Sequence, residues 1–220
     1  MQRYTNLLFL FLLLIIKVKA MDEHLPFIKK CNFIEAQEKK SGSLMIKSSP
    51  SRQEHFTFKQ VTLDDVPLLQ KWFNEQHVST WWPVPKENED FFTDFLPRMR
   101  KENMPYIAIL GNLPLGYIQL YPVDATETWL QSASLPSNTF GTDQFIAHSE
   151  YIGKGYGTRM LNDFICYLIA QDRSLSSFIV DPSPDNIGAI KSYEKVGFKS
   201  IGILEAPWGS ALLMHLSLNY

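Results

Sequence analysis

The pattern of apolar and polar positions predicts one mixed α/β domain from residue 56 onward. Short alternating or continuous apolar runs are typical of strands, whereas apolar residues that recur every three or four positions are typical of helices. The predicted strands cover residues 56–61, 106–110, 113–121, 143–147, 178–180, 198–204 and 211–218. The predicted helices begin at 64, cover 88–101, begin at 153 and cover 186–196. This order of strands and helices places the chain in the mixed α/β class.

The part of the chain before this domain consists of two segments of different character. Residues 1–20 contain Arg3, an apolar run over 7–16 and the ending Lys-Val-Lys-Ala, a pattern similar to a secretory signal peptide. The apolar run is too short to span a bilayer comfortably as a helix. Residues 21–54 are polar and mixed, as is typical of a linker. Residues 55–220 form the predicted folded domain.

Three interpretations of the first 20 residues remain open. They form a cleaved signal, a membrane-proximal anchor, or an extension upstream of a later start at Met21 or Met45. Contact with a membrane is therefore expected only through residues 7–16.

The composition is that of an ordinary soluble protein, with 45% hydrophobic residues, 20% charged residues and a formal net charge of -2. No basic field indicates nucleic acid as a partner, and no acidic excess predicts disorder. Cys31 and Cys166 lie in different contexts, and the apolar helical pattern around Cys166 predicts a buried thiol rather than half of a structural disulfide. Because no spacing of cysteine and histidine fits a zinc site, we expect no metal.

A glycine-rich turn opens the helix that follows the fourth predicted strand. Glycines allow a ligand to approach the backbone closely, and unpaired amides at a helix start attract a pyrophosphate. The glycine spacing fits neither a P-loop nor a dinucleotide-binding fingerprint. The turn therefore predicts a phosphate-binding site of another kind, with a plain glycine loop as the alternative. Its residues are Gly153, Lys154, Gly155, Tyr156, Gly157 and Thr158.

A second motif lies C-terminal to this turn, where DPSPDN at 181–186 leads into AIKSYEKVGF at 189–198. Together the two segments resemble the GNAT superfamily, whose hallmark is a GxGxG-like turn followed by N-xx-A-xx-Y-E-K-x-G-F. Within that superfamily, residues 56–218 are similar to the aminoglycoside 6'-N-acetyltransferases. The segments that carry this similarity are HVSTWW at 77–82, PYIA at 105–108, GYIQ at 116–119, GTDQ at 141–144, IGKGYGT at 152–158 and DPSP at 181–184.

The resemblance implies the GNAT fold, a mixed and mostly antiparallel central sheet flanked by helices. It also implies acetyl-coenzyme A as co-substrate, bound by residues 153–158, and an aminoglycoside that is acetylated on its 6'-amino group, a reaction that confers antibiotic resistance. Asp143 is implied as the base near the reacting amine, and Tyr193 as the general acid near the coenzyme A sulfur. The residue matching Asn186 commonly contacts the pantetheine arm. The implied substrate-binding residues are Asp181, Trp82 and Gln119.

The chemistry of acetyl transfer makes these residue types reasonable. A primary ammonium group cannot attack a thioester until it loses a proton, which a nearby carboxylate accepts directly or through water. Carboxylates also complement the charge of a polycationic amino sugar. A phenol can protonate the departing thiolate, and a backbone amide of the preceding strand can stabilise the carbonyl oxygen as it becomes negative. No covalent intermediate with the enzyme is required.

Each implied residue also has a purely structural interpretation. Asp143 can pair at a strand edge, and Tyr193 can pack at the edge of the core. Asp181 can shape the turn before Pro182, and Trp82 can be a packing residue. Asn186 is a natural helix cap, a role that is compatible with cofactor contact.

One segment departs from the aminoglycoside enzymes and keeps other acceptors open. The corresponding loop in the best-known relatives carries several glutamates, whereas residues 129–134 carry none, and only Asp124 and Glu127 lie upstream. A less acidic cleft predicts weaker or narrower aminoglycoside recognition, or a different amine. The alternatives are acetylation of a siderophore precursor or other small amine, and a non-catalytic protein that binds acyl-CoA or is tethered to a membrane.

The resemblance and the composition together predict the setting of the protein. Export would separate the enzyme from the cytoplasmic pool of coenzyme A, so a cytoplasmic location is expected. The expected partner is a small-molecule amine and not nucleic acid, and the chain is expected to be a monomer or a dimer.

Overall fold

The computed structural model describes residues 54–82, 103–124, 126–136 and 138–218. The predicted helix over 88–101, the segment 1–20 and the predicted linker up to residue 53 lie outside the described residues. In the described part of the chain, no helix is long and apolar enough to cross a membrane.

Seven strands form one sheet in the order β1-β2-β3-β4-β5-β7-β6. Every neighbouring pair is antiparallel except β4 and β5, which are parallel. This arrangement confirms the predicted mixed, mostly antiparallel sheet. The strands are β1 (Phe56–Gln60), β2 (Met104–Leu110), β3 (Leu113–Pro122), β4 (Thr139–Ile146), β5 (Ser177–Val180), β6 (Lys199–Ala206) and β7 (Gly209–Ser217).

The helix that contains Phe73 and the helix that contains Met160 follow the predicted apolar patterns and cover the two faces of the sheet. Tyr117 of β3 packs against Phe73 with ring centroids 5.5 Å apart, whereas the preceding Gly116 lies against Met160. Successive residues of a strand point to opposite faces, so these contacts place the two helices on opposite sides. Each fully buried large side chain contributes about 1.5–3 kcal/mol to this packing. Within the residues that the structure describes, the α-helices are α1 (Val66–Phe73), α2 (Gln76–Ser79), α3 (Tyr156–Gln171) and α4 (Ile187–Val196).

The predicted start of the fourth strand was wrong, because β4 begins at Thr139 and not at residue 143. Three of its first four residues, Thr139, Gly141 and Thr142, are small or polar, and such a composition is more typical of a loop. They are nevertheless buried, and the hydroxyl groups of Thr139 and Ser177 satisfy each other at 2.6 Å. A local hydrogen bond between neighbouring strands therefore permits polar residues in the middle of the sheet.

The expectation for Cys166 was half right. Its side chain is buried on α3, as the helical pattern predicts, but the cysteine is disulfide-bonded. The apolar pattern around a residue predicts which way its side chain points but contains no information about a distant covalent partner.

Candidate active site

The site begins where β4 and β5 separate. The two strands pair over only three residue pairs, from Thr139 and Ser177 to Gly141 and Ile179. Beyond Gly141, β4 continues to Ile146 and pairs with β3 alone among the described strands. The backbone groups on this edge of β4 are therefore available to an extended ligand lying in the gap.

The glycine turn lies at the end of β4, at the start of α3. Gly153 and Gly155 have φ angles of 73° and 87°, which side-chain-bearing residues rarely adopt, and a Cβ at either position would meet no atom within 4 Å. Gly155 is the N-cap of α3 and provides no side-chain cap. Because the first-turn amides have no carbonyl partner within the helix, this open turn fits the pyrophosphate of an extended nucleotide ligand.

The other residues of the turn differ in exposure. Lys154 is exposed, whereas Tyr156, Gly157 and Thr158 are half-buried. The Tyr156 ring packs against Tyr151 at 5.2 Å.

Helix α4 contributes two residues and is tied to α3 near the turn. The Thr158 hydroxyl lies 2.9 Å from the Ser192 hydroxyl and joins the two helices. Asn186 caps α4, because its Oδ1 accepts a hydrogen bond from the Ala189 amide at 3.1 Å. Tyr193 lies further along α4, and its side chain is buried.

Two carboxyl groups face each other across the separated strand ends. Asp143 lies on β4 and Asp181 directly follows β5. Tyr121 of β3 lies between them: its hydroxyl donates to Asp181 Oδ1 at 3.5 Å and is within hydrogen-bonding reach of Asp143. The fold therefore brings together Asp143 and Asp181, which are far apart in sequence, and adds a tyrosine that sequence reasoning missed.

Gln119 donates a hydrogen bond that orients the Asp143 carboxylate. The two residues are direct cross-strand neighbours, and Gln119 Nε2 donates to Asp143 Oδ2 at 2.9 Å. The orientation of the amide is set by its other end, where Oε1 accepts from the Tyr117 hydroxyl at 2.8 Å and from Asn103 Nδ2 at 3.2 Å. Gln119 is only 4% exposed, so this geometry supports a role in positioning Asp143 rather than direct contact with a large substrate.

Burial controls the protonation of these groups. It raises the pKa of Asp143 to about 6, against the opposing effect of hydrogen bonds from Gln119 and Tyr121. Burial, and then the charge of Asp143, raise the pKa of Asp181 to about 7. Both carboxyl groups retain some solvent contact, yet the surrounding protein disfavours their charged forms. The pair can therefore exchange a proton near neutral pH.

Tyr193, in contrast to the two carboxyl groups, does not ionise near neutral pH. Burial, followed by the charges of Asp143 and Asp181, raises its pKa above the ordinary value of 10.0. Its hydroxyl therefore keeps its proton near neutral pH and can donate a hydrogen bond or act as an acid, but not act as a base.

Trp82 belongs to an aromatic cluster beneath the site. Its ring is half-buried and makes edge contacts with Phe73, Tyr117 and Phe145 at 5.4–5.8 Å. The structure thus gives Trp82 a packing role, and any contact with substrate would use its remaining exposed surface.

We expect the substitution Gly141→Ala to destabilise the protein by about 1–3 kcal/mol. Gly141 lies directly opposite Tyr121, and a Cβ there would lie 2.1 Å from the tyrosine ring. The ring must move, which also removes its hydroxyl from between the two carboxyl groups. Urea denaturation measures the change in the free energy of unfolding. Gly202→Ala is the matched control, because that strand glycine has no atom within 4 Å of its Cβ position; equal stability of the two variants would contradict the prediction.

Comparison with known proteins places this architecture in a family. Residues 62–206 match the family model described as acetyltransferase (GNAT) domain. Aminoglycoside N(6')-acetyltransferase type 1 of Klebsiella pneumoniae is 32% identical over 164 residues, which cover 72% of this chain and 81% of that protein. The enzyme of the same name from Serratia marcescens is 29% identical over 187 residues, which cover 82% and 92% of the two chains.

The structural comparison gives the same answer. The crystal structure of the aminoglycoside acetyltransferase AAC(6')-Ib in complex with coenzyme A and kanamycin superposes with a TM-score of 0.66 at 32% sequence identity, over 74% of this chain and 95% of that one. The fold implied by the sequence resemblance is therefore confirmed. The chain belongs to the GNAT family and is an N-acetyltransferase.

Proposed function

We propose that this enzyme transfers an acetyl group from acetyl-coenzyme A to the 6'-amino group of aminoglycosides and thereby confers resistance to them. The observation that carries the proposal is the pair Asp143 and Asp181, bridged by Tyr121 beside the buried Tyr193. Relatives named as aminoglycoside N(6')-acetyltransferases, and a neighbour bound to coenzyme A and kanamycin, support the same substrates. Residues 55–220 are proposed as the catalytic domain.

The donor site is proposed along the glycine turn and the free edge of β4. Acetyl-coenzyme A supplies an activated acetyl group as a thioester. The backbone amides of Gly153–Thr158 hold the pyrophosphate, and Asn186 contacts the pantetheine arm while capping α4. An amide on the free edge of β4 donates to the thioester carbonyl oxygen, where negative charge develops.

The acceptor site is proposed around the carboxyl pair. Asp143, aimed by Gln119, accepts the proton that the ammonium group must lose before its nitrogen attacks. Asp181 binds the positive charge of the acceptor and so holds the amine beside Asp143. Binding of a cation lowers the cost of keeping both carboxyl groups ionised, which complements the raised pKa values of the empty pair.

Tyr193 is proposed as the proton donor to the departing thiolate. Its pKa remains high because burial and two neighbouring carboxyl groups disfavour the phenolate. Donation leaves a phenolate, and its high pKa makes it take back a proton that the acceptor nitrogen gives up, which restores Tyr193 for the next cycle.

A thiol-release assay with acetyl-coenzyme A and a panel of acceptors tests the proposed function. We expect kanamycin and other aminoglycosides with a 6'-amino group to release coenzyme A, and analogues with a 6'-hydroxyl group to release none. If no aminoglycoside reacts while another amine does, the substrate assignment is wrong.

A small amine, such as a hydroxylamine of a siderophore precursor, is the second candidate acceptor. It is favoured by the composition of the loop 126–136, where Glu127 is the single carboxylate. A small amine needs no extended acidic surface. The same panel decides between the two candidates, because it shows which class of acceptor releases coenzyme A.

The setting of the enzyme is proposed as the cytoplasm, where its acetyl donor is made, and the chain is proposed to act as a monomer or a dimer without nucleic acid. Deleting residues 7–16 separates an enzyme from a membrane-tethered protein. The shortened chain should remain soluble and release coenzyme A at the rate of the full chain.

A further inference from the structure

Two tryptophans form an aromatic corner beyond the carboxyl pair. Trp208 lies in the turn between β6 and β7, and Trp129 lies in the connection between β3 and β4. Their rings meet edge to face, with centroids 5.2 Å apart and an angle of 74° between planes. Trp208 is 64% exposed, so most of its ring does not contribute to the core. An exposed indole held against a second aromatic ring offers an apolar face, with its N–H as a polar group, to a ligand.

The aromatic corner is held in place from both sides. Trp129 Nε1 donates to Glu127 Oε2 at 2.6 Å, and the adjacent Leu130 is buried against Ile179 and Leu213 of the sheet. This anchor fixes the connection that carries Trp129. The corner is thus formed before a ligand arrives, which reduces the entropy lost on binding.

The hairpin that carries Trp208 is fixed as well. Ser210 donates to Glu205 Oε1 across the turn at 2.7 Å. The Leu212 amide donates to the Pro182 carbonyl at 2.9 Å, which joins β7 to the segment that carries Asp181.

A continuous line of side chains connects the corner to the reacting position. Trp208 lies near enough to Asp181 for its side chain to lower the pKa of that carboxyl group, against the larger effect of burial. Asp181 in turn accepts from Tyr121, which reaches Asp143. An acceptor whose reacting amine lies at Asp143 can therefore reach Trp208 by extending over Asp181.

We propose that the aromatic corner binds the second ring of the acceptor, a saturated polyhydroxylated ring that carries ammonium groups. The C–H face of such a ring packs against an indole face, and its ammonium groups are attracted to the electron-rich ring and to the Glu127 carboxylate. The inference rests on the proposed function and extends it. It also accounts for recognition of a polycation by a loop with a single carboxylate, because aromatic faces supply part of the attraction.

Calorimetric titration tests the corner without requiring turnover. The probes are kanamycin, which has several rings, and 6-amino-6-deoxyglucose, which has one. We expect wild-type protein to bind kanamycin more tightly than the single ring. Trp208→Ala should weaken kanamycin binding by about tenfold, Trp129→Ala should weaken it in the same direction, and Trp208→Phe should retain most of the affinity.

Leu63→Ala is the control, because this exposed apolar side chain lies beside β1 at the opposite edge of the sheet. Thermal melting verifies that each variant is folded. Unchanged kanamycin affinity in folded Trp208→Ala, or wild-type protein that binds the single ring as tightly as kanamycin, overturns the inference. Failure of the proposed function would instead appear as absent thiol release from acetyl-coenzyme A with kanamycin, whatever the titrations show.

Discussion

Asp143→Asn reduces kcat/KM for acetyl transfer by about 100-fold, the typical contribution of a positioned base. Asparagine has the same shape and can still accept the hydrogen bond from Gln119, but it cannot accept a proton. Thiol release with saturating acetyl-coenzyme A measures the loss. Asp64→Asn, which removes an exposed carboxylate near β1, should leave the rate unchanged.

The dependence of the rate on pH gives this prediction a specific signature. Asp143 must be ionised to act, and its pKa of about 6 means that the ionised fraction increases as the pH rises through that value. Because Asp181 must also be ionised to bind the acceptor, wild-type kcat/KM should rise with pH across about 6 to about 7 and level off above that range. In the variant the contribution of Asp143 to this limb should disappear, and the remaining limb should move to lower pH, because the pKa of Asp181 falls when the charge of Asp143 no longer opposes its ionisation. A variant with the wild-type rate and profile would remove Asp143 from the mechanism.

The stability of the same variant distinguishes lost chemistry from lost structure. A carboxyl group whose pKa is raised from 3.8 by folding destabilises the folded state once the pH exceeds that ordinary value, and the cost is complete above about 6. Asp143→Asn removes this cost. The inactive variant should be more stable than wild type at pH 8 by about 1–2 kcal/mol, a figure reduced for the partial exposure of the group. The difference should vanish at a pH below 3.8.

Tyr193→Phe lowers kcat by about 10- to 100-fold while the KM for acetyl-coenzyme A changes little. The phenylalanine fills the same buried position on α4 but has no proton to give to the thiolate. Because Tyr193 stays protonated near neutral pH, the rising limb of the pH profile should keep its wild-type position in this variant, whereas it should shift in Asp143→Asn.

Tyr167→Phe is the matched control for this substitution. Tyr167 lies on α3 and packs against Phe58 and Tyr106, away from the carboxyl pair, so loss of its hydroxyl should not slow turnover. A normal kcat for Tyr193→Phe would contradict its role as the acid.

The parts of the site that were predictable from sequence are those encoded in short segments. The turn 153–158 and the cap at Asn186 depend on residues a few positions apart, and the structure shows both at the starts of helices. The apolar patterns of α1 and α3 are equally local. Their faces follow from helical periodicity alone.

The contacts that were not predictable join residues that are distant in sequence. Tyr121 reads as one more apolar position of a strand, and its bond to Asp181 spans 60 residues. Trp208 stands in a short hairpin turn between Pro207 and Gly209, where nothing nearby in sequence indicates that Asp181 and Trp129 lie beside it. Alternation predicts which residues share a face within each strand. Only the register between β3 and β4 shows that Gln119 and Asp143 are neighbours on one face.

The brevity of the junction between β4 and β5 has a consequence for the whole domain. Strands β1 to β4 and strands β5 to β7 share only three pairs of residues within the sheet, so the two blocks meet at a seam that the polypeptide itself leaves incomplete. A pantetheine chain lying in that seam would contact both blocks and replace some of the contacts that the strands do not make with each other. The bound donor would then contribute to the packing of the two blocks. Each release of coenzyme A would remove these contacts, and binding of the next molecule would restore them.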